Sequence, residues 1–82
     1  MERSVEEVRR EVDEAARELR AGRDKRAARL LTEAAYHTHD PELERKVIEL
    51  ATEGRDQAGR FGKGRWDEII RIAKLHMPKA QS

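Results

Sequence analysis

The chain has 82 residues, 43% of them charged, and a formal net charge of +1; its mean hydropathy is −0.99. That length holds one small domain with less apolar material than such domains usually bury, so the expectation is either an idealised helical fold or a core completed by a second chain. The lack of cysteine excludes disulfides and thiol chemistry, and no apolar run approaches the roughly 18 residues of a membrane span, so a soluble, cytoplasmic protein with no membrane partner is expected.

The first predicted helix covers about residues 4–21. Ser4-Val5-Glu6-Glu7 reads as a capping box, in which Ser4 takes the Glu7 amide and Glu7 reaches back. Val5, Val8, Val12, Ala15 and Leu19 follow in steps of three and four, the spacing of a heptad seam. Such a stripe suits one face of a bundle. On so charged a helix it also suits a seam between chains, and these five residues are the expected protein interface of a homo-oligomer. Gly22 is the natural stop.

The second helix covers about 24–38. Asp24 is placed to cap it, and Ala27, Leu31, Ala34 and Ala35 form an inner face small enough for close approach by a neighbour. His39-Asp40-Pro41-Glu42 is the clearest punctuation in the chain. Asp40 is an N-cap, Pro41 sits where a missing N–H costs nothing, and Glu42 complements the helix dipole. The third helix then runs over about 40–57, with Leu43, Val47, Leu50, Ala51 and Gly54 on one stripe. Gly59, Gly62 and Gly64 break the chain. The fourth helix is expected over about 66–77, carrying Ile69, Ile70, Ile72, Ala73, Leu75 and Met77, with Pro78 ending it and a flexible tail over 78–82. No alternating run is long enough for a strand, so the fold class is all-α: four helices in antiparallel hairpins.

Residues 22–43 resemble the middle of a tetratricopeptide repeat. Gly22, Ala27, Leu31 and Ala34 match that pattern, and Pro41 opens the next helix about two residues late. The family's first-helix Trp, Leu, Gly and Tyr have no counterparts, since Glu11, Glu14, Ala15 and Glu18 stand there. The resemblance implies a helix hairpin with small residues at the crossing, and protein binding.

No constellation points to catalysis or a cofactor. His37, His39 and Asp40 lie close together, but the run straddles a helix end and falls short of the four ligands of a structural zinc. Glu6-Glu7, Glu42/Glu44 and Asp67-Glu68 are paired carboxylates, and none is expected in the apolar setting that acid catalysis needs. No hydroxyl has a plausible base beside it.

Charge is uneven along the chain: residues 1–22 carry −2, residues 23–58 carry −1 and residues 59–82 carry +4. The basic end opens with GRFGKGRW at 59–66. No Lys-Ser/Thr follows its glycines and no strand precedes them, so it is neither a P-loop nor a dinucleotide fingerprint. Arg60, Lys63 and Arg65 are candidate phosphate contacts, and Phe61 or Trp66 a candidate stacking partner for an unpaired base. The reading preferred for this stretch puts Phe61 and Trp66 in the core, with Phe61 a hydrophobic plug between helices three and four and the glycines allowing a tight turn.

The function expected from all this is a small non-enzymatic adaptor or regulator that binds a protein and self-associates. The alternative is a nucleic-acid accessory protein using residues 59–66.

Overall fold

The computed structural model describes residues 4–59 and 62–75, and among them the chain is all helical. Four helices follow one another: α1 (Val5–Arg20), α2 (Asp24–His37), α3 (Pro41–Ala58) and α4 (Lys63–Leu75). Their connections, 21–23, 38–40 and 59–62, are short, so each helix doubles back on the one before. The starts of α1 and α3 therefore meet the ends of α2 and α4 at one end of the bundle. The starts of α2 and α4 lie together at the other.

Local chemistry sets these boundaries. Ser4 Oγ accepts from the Glu7 amide at 3.2 Å. The Ser4 hydroxyl in turn donates to the Glu7 carboxylate at 3.3 Å, in place of the expected reach to the Ser4 amide. α1 ends in a Schellman turn. Gly22 takes φ +83, which only glycine adopts without strain. That lets the Arg23 amide donate to the Glu18 carbonyl at 2.9 Å and the Gly22 amide to the Leu19 carbonyl at 3.1 Å. Asp40 caps α3 through the Glu42 amide, with Pro41 in the first turn. Asp24 does not cap α2. Arg23 holds the cap position with no side-chain cap bond, because a guanidinium has no acceptor to offer a backbone amide; it donates to Glu18 instead.

The stripe expected to meet a second chain is covered by the chain itself. Val8 and Val12 are 1% exposed and Leu19 4%, and Ala15 is fully buried. They pack on α2 and α3. Val5 alone of the five faces solvent. The radius of gyration, 11.9 Å, matches the roughly 12 Å expected of a folded chain of this length on its own. The core closes because α2 presents Ala27, Ala28, Ala34 and Ala35 around Leu31, all buried.

The other correction concerns α4. It begins at Lys63, about a turn before the expected start at Trp66. Residues 76–82, with the expected Met77 and Pro78 stop, lie outside the described residues.

Trp66 locks α3 to α4. Its six-membered ring lies flat against Gly54 in mid-α3, where an added Cβ would come within 2.6 Å of the ring carbons. A Gly54→Ala methyl gains about 1 kcal/mol of helix propensity, but forcing it against a buried ring costs about 1–3 kcal/mol. The variant is expected to be less stable, with a lower urea midpoint at an unchanged slope, and the loss should shrink when Trp66→Leu is added. A Gly54→Ala chain as stable as the parent would refute this contact. Val8→Asp gives a second check. A seam between chains would answer it with lost assembly and intact helices. Here it places an unpaired charge in the core, and loss of the helical circular-dichroism signal is expected.

Candidate interaction surfaces

The stretch 59–66 is divided by the fold. Gly59 closes α3 with φ +69. Arg60 and Phe61, a candidate phosphate contact and a candidate stacking partner or plug, lie outside the described residues. Lys63, Gly64 and Arg65 form the first turn of α4 and are exposed. Trp66 is 3% exposed. It is a core residue and no platform for a base, and it fills the α3–α4 junction. Because α4 starts early, its first turn carries no acid. Asp67 instead pairs with Arg55 of α3 at 3.1 Å, and Glu68 pairs with Arg71 one turn on.

The parallel course of α2 and α4 sets cations of both helices side by side. A groove of about 360 Å³ between them is lined by Lys25, Ala28, Arg29, Thr32, Glu33 and Arg65. Thr32 turns its hydroxyl back to the Ala28 carbonyl at 2.8 Å, so the floor offers mostly methyl groups. Glu33 is the lone acid of the lining, and it lies 3.5 Å from His37 Nε2. Lys25, Arg29, Lys63 and Arg65 make no ion pair or side-chain hydrogen bond among the described residues. The groove between α1 and α3 is different in kind: there Arg9, Arg45 and Lys46 alternate with Asp13, Glu42 and Glu49. Sequence reading found Lys63 and Arg65 but missed Lys25 and Arg29. The available signal was a like-charged i,i+4 pair on α2, an arrangement that weakens a helix.

Charges that hold the fold sit at the first turn. Glu18 is 7% exposed and accepts from Arg23 at 2.7 and 2.9 Å, with Arg26 Nε at 3.2 Å. The hydrogen bonds from Arg23 hold its carboxyl below the usual range, against the opposing pull of burial, and the charges of Arg23, Arg26 and Arg17 add to the effect. Glu44 departs from expectation. It is fully buried and engaged, while Glu42 beside it is exposed. The two therefore do not form a pair sharing one environment. Among the described residues His37 and His39 gather no third ligand, and no cluster of three metal-binding side chains occurs there. No described helix is long and apolar enough to cross a membrane.

No protein-family model matches the chain, and neither a curated protein nor a solved structure matches it significantly.

The Glu18 cluster sets a pH dependence. A carboxyl whose folded pKa is depressed contributes stability above its ordinary value, 4.5, and that contribution disappears as pH falls through the lower folded value. Glu18→Gln is expected to melt below the parent at neutral pH, and the gap should close as melts are repeated at pH values progressively below 4.5. A gap that stays constant through that range would remove the charge from the account.

Proposed function

We propose that the chain is a small non-enzymatic protein-interaction module, an adaptor or regulator of the cytoplasm, that also self-associates. The observation carrying this reading is where the large apolar side chains left outside the core lie. Val5 is 51% exposed, Tyr36 56% and Leu75 69%. Val5 opens α1, while Tyr36 and Leu75 close α2 and α4, so all three belong to the same end of the bundle. Single exposed hydrophobics are ordinary. These three, the exposed large hydrophobics among the described residues, share one end. The helix that carries Tyr36, α2, packs on both α1 and α4, while α1 and α4 do not touch, and this end is the contact surface of the proposal. A cleft of about 490 Å³ beside Val5 is lined by His37, His39 and Pro41 as well, with the buried Val8 and Thr38 behind them. The likeness of residues 22–43 to a tetratricopeptide hairpin supports protein binding as well. The non-enzymatic part is supported by the work the carboxylates already do: Asp40 caps a helix, while Glu18, Asp67 and Glu68 sit in ion pairs.

Light scattering over a concentration series tests the reading. The parent's mass is expected to rise toward a dimer, and Val5→Ser/Tyr36→Ser/Leu75→Ser to remain a monomer with a nearly unchanged melting temperature, since the changes are on the surface. A parent that is monomeric at every concentration, or a triple variant that assembles like the parent, would overturn self-association through this end.

A further inference from the structure

We propose that the α2/α4 groove docks an acidic segment of a protein partner; this rests on the interaction role above and names the partner's chemistry. Lys25, Arg29 and Arg65 line the groove against Glu33 alone. None of these three cations has a partner among the described residues. The groove of similar size between α1 and α3 balances its cations with acids, so the excess belongs to this face and not to the composition of the whole chain. Both helices present their first turns here, and their dipoles add to the positive potential. Placing Lys25 and Arg29 one turn apart works against α2, a cost that an anion from outside would offset. The floor of Ala28 and the Thr32 methyl leaves room for an aliphatic stem between the charges. Lys25, Arg29, Thr32 and Tyr36 fall on one stripe of α2, so the groove leads from the cations toward the apolar end.

A protein segment fits this groove better than a nucleic acid. Trp66, the aromatic nearest the cations in sequence, is buried and offers no face for a base. Asp24 lies beside Lys25 at the start of α2, and with Glu33 it interrupts any track for successive phosphates. A formal net charge of +1 supplies little long-range attraction for a polyanion.

The test is a ¹⁵N amide-shift titration of the full chain with a short polyglutamate peptide. A polyserine peptide is the neutral control, and DNA oligonucleotides, single-stranded and duplex, are the phosphate probes. Shifts from polyglutamate are expected at Lys25, Ala28, Arg29, Thr32 and Arg65. They should fade with added salt. Affinity should fall about tenfold or more in Lys25→Ser/Arg29→Ser, which removes two charge-assisted contacts. Arg45→Ser/Lys46→Ser on α3 should bind as the parent does. Shifts that are absent, spread over the chain or equally lost with the α3 variant overturn the proposal. Tighter binding of DNA at the same residues assigns the groove to phosphate and overturns it too. So does movement of these amides on simple dilution, which would mean a second copy fills the groove. Self-association is judged separately, from the mass of the Val5/Tyr36/Leu75 variant, in which the groove is intact.

Discussion

Every other helix packs on α2, and the inner face of α2 is almost free of bulk. Ala27, Leu31, Ala34 and Ala35 are fully buried there. Three alanines around one leucine bring little bulk of their own. They suffice because small residues permit close packing, and α1, α3 and α4 all pack on this one helix. This is why a chain of mean hydropathy −0.99 closes a core from its own helices. The stripe of α1 is narrow because α2 asks for no more than Val8, Val12, Ala15 and Leu19. Gly54 repeats the device on α3, with the Trp66 ring taking the space that a side chain would have filled.

Much of the fold was legible, because its signals are local. Ser4, Gly22 and the Asp40-Pro41 pair mark three boundaries by chemistry that acts within a turn of the chain. The inner faces follow from apolar spacing alone. The start of α4 was not legible because Gly62 and Gly64 are weak helix formers, so nothing local marks the exposed turn that precedes the buried Trp66. What covers a stripe is also invisible in a sequence. Val8 and Val12 announce that they will be buried, but a second chain and α2 would leave the same pattern. Trp66 was ambiguous in the same way, since an aromatic among cations describes both a base-stacking loop and a core residue. The glycine that receives its ring stands twelve positions earlier, on another helix. Glu44 reads as one more surface acid, and only its register on α3 turns it inward.

The candidate surface shows the same division. Lys63 and Arg65 could be found because they are neighbours in the chain. The meeting of Arg65 with Lys25 and Arg29 depends on α2 and α4 running parallel, which follows from the two reversals between them and from no residue in particular. The charges themselves divide by use. Glu18, Arg23 and Arg26 are tied into the first turn, and Arg55 with Asp67 ties α3 to α4. The cations of the groove hold nothing together, so the fold does not depend on them.

Alternation of helix direction along α1 to α4 therefore gives the molecule two unlike ends. One gathers the starts of α2 and α4 with Lys25, Lys63 and Arg65; the other gathers Val5, Tyr36 and Leu75. On the proposed reading these are complementary parts of one contact. Burial of apolar surface is non-directional and supplies affinity. Charge at the far end of the groove supplies orientation and speeds encounter, while adding less to the final affinity. A partner segment carrying acids at one end and apolar residues at the other would lie along α2 in a single direction. The reversed segment would set its carboxylates beside Tyr36 and leave its apolar residues among the cations. The asymmetry needed to choose between the two is created by the order of the helices, before any individual side chain on the partner is considered.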